Sequence, residues 1–279
     1  MPRLSNVDVS ILMSLYIKEK PDYFKESLMS IFNQTRMPNE IVLVLDGPIT
    51  PELQKIVDKY QKEKSGLFNL VPLKENVGLG KALAVGVESC KYELIARMDT
   101  DDIMLPNRIE KQVAEFSSDP DLTIVGSNID EFYDTPKRII GRRMVPEMNE
   151  EIRSFSKKRN PFNHMTVMFK KSAILKVGNY QPMMGFEDYY LWARLLKAGY
   201  KGKNIQESLV HARTGKDMYA RRGGRTYFAN GLKGRKAIYH AGLGTVSDYL
   251  VSCSAHIIVS LLPNKIRGRI YESKLRKQN

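Results

Sequence analysis

The chain has 279 residues, of which 42% are apolar and 27% charged, a composition that is ordinary for a globular protein and excludes intrinsic disorder. Its two cysteines, Cys90 and Cys253, match no metal-ligand spacing and form no disulfide framework, which is typical of a reducing cytosol. The N-terminal sequence lacks the apolar core and cleavage site of a signal peptide. We therefore expect a cytoplasmic protein.

The net charge of +13 is unevenly distributed along the chain. Residues 211–279 contain 14 Lys and Arg against 3 Asp and Glu, whereas residues 1–210 contain 30 against 28. Basic tails contact nucleic acid, anionic lipid or phosphorylated substrates, and net charge does not choose among these partners. We expect a main domain over residues 1–210 and a basic, mostly helical extension over residues 211–279.

The first 130 residues alternate short apolar runs with segments of helical periodicity. Strands are predicted at residues 9–15, 41–45, 68–73, 92–96 and 122–125, and helices at residues 22–34 and 79–88 and after Pro51 and Pro106. This alternation predicts an α/β fold with right-handed crossovers and a mainly parallel mixed sheet flanked by helices. In such sheets the ligand binds at the carboxyl ends of the strands.

The pattern beyond Ser127 is less regular. Candidate strands lie at residues 138–145 and 166–169, and candidate helices at residues 149–158 and 186–198. We interpret them as a mixed extension of the same sheet. Glycines and paired arginines over residues 203–244 predict a mobile segment before the final helices.

Three carboxylates, Asp99, Asp101 and Asp102, directly follow the strand predicted at residues 92–96. Clustered carboxylates repel one another, and their burial is costly unless a cation is present. Because we expect no protein cation to balance them, Mn²⁺ or Mg²⁺ is the predicted partner, which would complete its shell with substrate phosphates. The alternative is a solvated acidic turn, which is how we interpret the second Asp-x-Asp, in Asp119-Pro120-Asp121.

Six blocks of sequence, taken in order, resemble family 2 glycosyltransferases with the GT-A fold, of the kind that builds bacterial surface polysaccharides. The blocks are VSILMSLY (9–16), SIFNQT (30–35), LVLDG (43–47), NVGLGKAL (76–83), ARMDTDD (96–102) and GFEDYYLW (185–192). The resemblance implies a metal-dependent, inverting transfer of a sugar from a nucleoside diphosphate, with a UDP-sugar as the leading donor. The implied acceptor is a glycan hydroxyl, in polysaccharide, O-antigen or capsule biosynthesis.

The resemblance also implies a donor site at the ends of the predicted strands. Tyr16 matches the aromatic residue that lies against the base, and Asp46 matches the aspartate that accepts a hydrogen bond from the imide N–H of uracil or thymine. The alternatives are a tyrosine ring packed in the core and a turn residue in Asp-Gly-Pro. The chain departs from the family at Leu45 and Ile17, where the family usually has Asp and Asn. The implied donor-binding residues are Ser14, Tyr16, Asp46, Asn76, Lys81, Asp99 and Asp101, and the implied metal ligands are Asp101 and Asp102.

Glu187 and Asp188 open the helix predicted at residues 186–198. Asp188 matches the catalytic base of the family, with Glu187 beside it, and a single base carboxylate implies direct displacement with inversion. From the residues alone, the alternative is two acids favourably placed on a helix dipole, an effect of about 0.3–1 kcal/mol. His164 is a candidate acceptor contact, although a lone histidine beside a strand is more often structural.

Residues 246–279 contain a second amphipathic signal. Apolar positions recur at helical spacing over residues 246–262, but the uncharged stretch is shorter than the roughly 20 residues that span a bilayer. Basic and apolar residues then alternate over residues 265–277, a pattern suited to anionic lipid. We expect a peripheral position on the inner face of the cell membrane, near a polyprenyl-diphosphate-linked acceptor. The alternative is a core helix followed by a solvated or homodimer-forming basic end.

Two other classes of protein share parts of this pattern. A metal-dependent nucleotidyl- or phosphoryltransferase also needs clustered carboxylates, but the chain has neither the P-loop nor the kinase phosphate signature. A nucleic-acid-binding protein would account for the positive charge, yet no RNA- or DNA-binding module is recognisable. We therefore expect no nucleic-acid partner.

Overall fold

The structure, a computed structural model, describes residues 7–215 and 224–261. Its strands are β1 (Val9–Leu15), β2 (Glu40–Leu45), β3 (Phe68–Pro72), β4 (Leu94–Arg97), β5 (Ile103–Met104), β6 (Leu122–Phe132), β7 (Ile139–Arg143), β8 (Met168–Lys170) and β9 (Lys201–Arg213). Its helices are α1 (Pro21–Phe32), α2 (Pro51–Glu63), α3 (Leu79–Ser89), α4 (Arg108–Ser118), α5 (Asn149–Ser156), α6 (Lys171–Lys176), α7 (Glu187–Lys197), α8 (Gly224–His240) and α9 (Val246–Leu261).

Within the described residues, all nine strands belong to one mixed sheet, in the order β3-β2-β1-β4-β8-β6-β9-β5, with β7 paired to β6. Strands β3, β2, β1 and β4 are parallel, as the alternation of strands and helices predicts. Beyond β4, strand β8 is antiparallel to both of its neighbours, while β9 is parallel to β6 and antiparallel to β5. The predicted mixed sheet is confirmed, and uniformly parallel pairing is confined to the β3-to-β4 half.

Helices cover both faces of the parallel half. For this reason β1 and β2 are almost entirely buried and are nearly continuous apolar runs in the sequence. Successive β1 residues face opposite layers: Ile11 packs in the core that contains Leu28 of α1, and Leu12 packs in the core that contains Trp192 of α7. The two cores hold the carboxyl ends of the parallel strands at one edge of the sheet.

Local capping chemistry sets the start of α2. Pro51 is its first residue, and the Thr50 side chain accepts a 3.3 Å hydrogen bond from the Leu53 N–H, as predicted. Pro106 does not open the following helix as we expected. Helix α4 begins two residues later, at Arg108, and the Pro106 carbonyl accepts a hydrogen bond from the Thr35 N–H.

The expectation of a mobile segment over residues 203–244 is wrong for the residues that the structure describes. Residues 203–213 belong to β9, which lies inside the sheet between β6 and β5, and residues 224–240 form α8. The sequence hides β9 because its residues are largely polar and its pairing with β6 has register shifts that break the period of two. Residues 216–223, with the Arg-Arg-Gly pattern, lie outside the described residues. Strand β9 also continues to Arg213, past the boundary that we expected between the main domain (residues 1–210) and the basic extension (residues 211–279).

Glycines allow α8 to pack closely against its neighbours. A Cβ atom on Gly234 would lie 2.3 Å from the Phe186 ring just before α7, and one on Gly231 would lie 2.0 Å from the His256 ring of α9. Helix α8 thus packs closely against both Phe186 and helix α9. No helix in the described ranges has both the length and the hydrophobicity needed to cross a membrane.

Candidate active site

The carboxyl ends of β1, β2 and β4 open into a cavity of about 680 Å³. Because these strands are parallel neighbours, the loops that follow them meet at one edge of the sheet. Residues that the sequence assigned to donor binding line this cavity: Ser14, Tyr16, Asp46, Asn76, Asp99 and Asp101. The structure therefore brings six of the seven predicted donor residues together.

Tyr16 lines the cavity and directly follows β1. Its side chain is 41% exposed, so its ring does not pack in the core, which was the alternative interpretation. Ser14, the last but one residue of β1, lines the cavity beside it. An exposed aromatic face that lines a cavity is suited to stacking against a planar ring.

Asp46 is buried and organises the loop that follows β3. Its carboxylate accepts hydrogen bonds from the Val77 N–H at 2.7 Å, the Gly78 N–H at 3.2 Å and Nδ2 of Asn76 at 3.1 Å. The next residue, Gly47, has a φ of +84°, and a Cβ atom there would lie 2.6 Å from the Asn76 nitrogen. Asp46 is therefore a turn residue whose carboxylate also fixes the position of Asn76.

Asp99, Asp101 and Asp102 form a compact carboxylate cluster, in which one oxygen from each lies within 4.8 Å of the others. Asp102 is 2% exposed; its Oδ1 accepts a 2.7 Å hydrogen bond from the Arg213 N–H, and its Oδ2 is buried with no partner in the described part of the chain. Burial and repulsion from the neighbouring carboxylates raise the pKa of both Asp101 and Asp102. Crowded carboxylates with an unsatisfied oxygen are a donor set that fits a divalent cation.

The expectation that no protein cation balances the cluster is wrong. Arg97, at the end of β4, is 2% exposed, and its two terminal nitrogens donate to both carboxylate oxygens of Asp99. Such bidentate pairs are strong and geometrically specific. Asp101 and Asp102 form no ion pair in the described ranges. These two residues therefore remain the candidates for holding a metal.

Arg213, the last residue of β9, is a site residue that the sequence did not identify. Besides its backbone bond to Asp102, its Nε donates to the Asp101 carbonyl at 3.0 Å, and its guanidinium lies 3.8 Å from the centre of the Tyr23 ring. It also forms an ion pair with Glu26 on α1. No local signal marks Arg213, because its place in the cluster depends on the pairing of β9.

Asp188 lies in the first turn of α7, as predicted. Its Oδ2 accepts a 2.6 Å hydrogen bond from Nδ2 of Asn160, and its Oδ1 accepts a 2.7 Å bond from the Tyr189 N–H. Burial raises the pKa of Asp188, while these hydrogen bonds and the positive charge of Arg97 act in the opposite direction. The charge of Arg97 therefore acts on both Asp99 and Asp188, and so links the carboxylate cluster electrostatically to the start of α7.

Glu187 and Lys81 line a second cavity, of about 290 Å³. The two cavities adjoin, since Gly78 and Leu79 contribute to both. Lys81, assigned to donor binding from the sequence, therefore lines the second cavity and not the larger one. Burial raises the pKa of Glu187, and its Oε2 has no hydrogen-bond partner among the described residues.

His164 lines neither cavity. Its Nε2 lies 2.9 Å from the Tyr180 hydroxyl, and its ring packs against the rings of Tyr180 and Trp192. Burial, together with the charge of Arg97, lowers the pKa of His164 well below its ordinary value. The geometry therefore favours a structural role for His164, which the sequence analysis gave as the alternative to contact with an acceptor.

Comparison with known proteins identifies relatives over nearly the whole chain. An uncharacterised glycosyltransferase of Haemophilus influenzae is 41% identical over 96% of this chain and 99% of its own length. The UDP-Gal:alpha-D-GlcNAc-diphosphoundecaprenol beta-1,3-galactosyltransferase of Escherichia coli is 37% identical over 96% of both chains. Relatives of this chain thus include an enzyme of lipid-linked glycan biosynthesis.

Solved structures show the same fold at low sequence identity. S. aureus TarS 1-349 in complex with UDP-GlcNAc superposes with a TM-score of 0.67 at 17% identity, over 96% of this chain and 77% of that one. The mannosyltransferase PcManGT of Pyrobaculum calidifontis, in complex with GDP-Man and Mn²⁺, superposes with a TM-score of 0.60 at 15% identity, over 95% of this chain and 84% of that one.

The profile of glycosyl transferase family 2 matches residues 10–180. The resemblance seen in the six sequence blocks is confirmed, and the sugar-transfer class replaces the nucleotidyltransferase and nucleic-acid-binding alternatives. The chain belongs to glycosyl transferase family 2 and is a glycosyltransferase with the GT-A fold.

Proposed function

We propose that this glycosyltransferase moves a hexose or N-acetylhexosamine from a UDP-sugar to a hydroxyl of a lipid-diphosphate-linked glycan, with inversion and with a divalent metal. The observation that carries the proposal is the convergence of Tyr16, Asp46, Asp99 and Asp101 on one cavity at the strand ends, with Asp102 buried beside Asp99 and Asp101 in the carboxylate cluster. The diphosphate-linked acceptor is inferred from the E. coli relative, whose name gives such a substrate.

Asp46 supports a uridine donor. Its Oδ1 accepts one hydrogen bond, from Val77, so a lone pair remains for the imide N–H of uracil. The exposed ring of Tyr16 offers a face for the base. A dTDP-sugar would satisfy the same contacts, because thymine has the same imide edge. The UDP-GlcNAc in the TarS structure agrees with the uridine choice.

Asp101 and Asp102 are the residues that would hold Mn²⁺ or Mg²⁺, because Asp99 is already paired with Arg97. When bound, such an ion supplies Lewis-acid neutralisation of the departing diphosphate. The Mn²⁺ in the PcManGT structure is consistent with this choice of metal. Asp99, held in place by Arg97, remains the candidate for contact with the ribose.

Asp188 is proposed as the general base. The acceptor oxygen forms its bond to the anomeric carbon as its proton passes to Asp188, and the bond to UDP breaks with its electron pair on the diphosphate oxygen. A direct displacement of this kind inverts the anomeric configuration and needs one carboxylate base. The hydrogen bonds from Asn160 and Tyr189 orient that carboxylate and favour its ionised form.

Helix α9 supports a position at a membrane surface. Its buried side chains include Ser252, His256 and Ser260, whereas Leu250 and Ile258 are 57% and 60% exposed. Apolar side chains therefore face outward on α9, and no Lys, Arg, Asp or Glu lies between residues 249 and 261. Six Lys and Arg follow at residues 265–277, outside the described residues. We propose that the apolar face of α9 and these cations contact the anionic inner face of the cell membrane.

A panel of UDP-, dTDP- and GDP-sugars tests the donor and metal assignments. The acceptor in this assay is GlcNAc-diphosphate bearing an alkyl chain. We expect UDP to be released from UDP-sugars in its presence. A chelator should stop this release, and added Mn²⁺ or Mg²⁺ should restore it. The product should have the anomeric configuration opposite to that of the donor by NMR. Preference for a GDP-sugar, full activity with the chelator, or a retained configuration would each contradict the corresponding part of the proposal.

A further inference from the structure

The second cavity is built from three separate parts of the chain. Lys81 comes from the first turn of α3, Glu187 from the start of α7 with the preceding loop, and Lys233 from α8. The cavity adjoins the donor cavity, and Glu187 directly precedes Asp188, the proposed base, which itself lines neither cavity. A molecule in the second cavity would therefore lie next to a sugar donor in the first.

The side chains that line this cavity are of three chemical kinds. Lys81 and Lys233 are exposed and, in the parts of the chain that the structure describes, neither forms an ion pair or hydrogen bond. Glu187 presents a buried oxygen with no partner, which is an acceptor for a hydroxyl. Met183 and Met184 contribute a flexible apolar surface.

We infer that the second cavity binds the acceptor through its diphosphate, with Lys81 and Lys233 on the phosphates, Glu187 on a hydroxyl of the acceptor sugar, and the two methionines along the lipid chain. This inference deepens the proposed function and rests on it for the class of acceptor. Two lysines from different elements suit a flexible dianionic group, since each presents a point charge on a long stem. Helix α8, which lies beyond residues 10–180 matched by the family profile, would thus contribute to acceptor choice.

A binding experiment tests the site without requiring catalysis. Calorimetry would measure the affinity of GlcNAc-diphosphate bearing an alkyl chain, in the presence of UDP, for the full-length protein and its variants. We expect Lys233→Ala and Lys81→Ala each to weaken binding by about 3–10-fold, the range for partly exposed charged contacts. Lys236→Ala is the matched control, because Lys236 is an exposed lysine on the same helix that does not line the cavity.

A second probe separates contacts to the phosphates from contacts to the sugar. With the corresponding alkyl glycoside of GlcNAc, which lacks the phosphates, the lysine variants should bind as the wild type does, whereas Glu187→Ala should bind both probes more weakly. Inorganic diphosphate should compete only with the phosphorylated probe.

Unchanged binding of the phosphorylated probe by both lysine variants, or no binding by the wild type, would overturn the inference. If either lysine variant lost affinity equally for the two probes, that would also overturn the inference, since it would mean a general change of shape rather than a lost phosphate contact. If the wild type binds the phosphorylated probe but transfers no sugar to it, the proposed function fails and the site assignment stands.

Discussion

Asn160 donates a 2.6 Å hydrogen bond from its Nδ2 to Oδ2 of Asp188, and so joins the loop after α5 to the first turn of α7. The two residues are 28 positions apart, and the bond opposes the effect of burial on the Asp188 pKa. If Asp188 is the base, Asn160 both orients its carboxylate and keeps it ionised.

The first prediction concerns the pH dependence of turnover. Because burial raises the pKa of Asp188, kcat should fall on the acid side at a pH above the ordinary aspartate range. Asn160→Ala removes a hydrogen bond that favours the ionised form, so the acid limb should move to still higher pH. Burial also raises the pKa of Asp101, so the quantity to compare is the shift of the acid limb between variant and wild type at saturating metal. An unshifted acid limb in Asn160→Ala would mean that Asp188 does not set it.

The second prediction assigns the base itself. Asp188→Asn keeps the size of the side chain but cannot accept the proton, so transfer should fall by roughly 10²–10⁴-fold with UDP affinity nearly unchanged. Single-turnover kinetics and calorimetry measure the two quantities. Turnover near that of the wild type in a folded Asp188→Asn protein would leave this residue with the helix-dipole role alone.

The third prediction concerns the carboxylate cluster. Asp101→Asn should abolish the gain in UDP affinity that Mn²⁺ or Mg²⁺ produces, since it removes a charged ligand. At pH values above the ordinary aspartate range it should also raise the unfolding free energy of the metal-free protein, by on the order of 1 kcal/mol. Burial and the neighbouring carboxylates raise the pKa of Asp101, so its ionised form opposes folding there. Asp121→Asn is the control, because Asp121 belongs to the other Asp-x-Asp and pairs with Lys201 on the surface. Retained metal-dependent UDP binding in Asp101→Asn would argue against the metal assignment.

The fourth prediction tests how α8 is seated on the start of α7. Gly234→Ala should gain up to about 1 kcal/mol of helix propensity, but overpacking against Phe186 costs about 1–3 kcal/mol. We expect a net loss in unfolding free energy by denaturant titration. In a Phe186→Leu background the ring is gone, so the same Gly234→Ala change should be neutral or stabilising. A loss of equal size in both backgrounds would show that the contact is not its cause.

The fifth prediction concerns membrane contact. The protein should float with anionic vesicles at low salt, and replacing Leu250 and Ile258 with Glu should weaken this, because both are exposed on α9. Leu175→Glu is the control, since Leu175 is an exposed leucine on α6. If the wild type stays in solution with vesicles at low salt and sediments as a dimer, the dimer-forming alternative for the basic end replaces the membrane role.

The sequence by itself determined the parallel half of the fold and the position of the donor cavity. The strands before Tyr16, Asp46 and Asp99 are apolar runs separated by helices, and such strands lie parallel with their carboxyl ends at one edge. Chain order was therefore enough to predict that these residues meet. The helix that carries Asp188 was also predictable, because its apolar face has the helical period.

Only the tertiary structure decided how the charges are partnered. Arg97 lies two residues from Asp99, but its side chain is buried, so the pairing depends on what packs around β4. Arg213 reaches Asp102 across 111 positions of sequence, through a strand whose polar residues and register shifts conceal its period. Long-range pairing of this kind leaves no local pattern, because the energy that fixes it comes from the whole sheet and not from neighbouring residues.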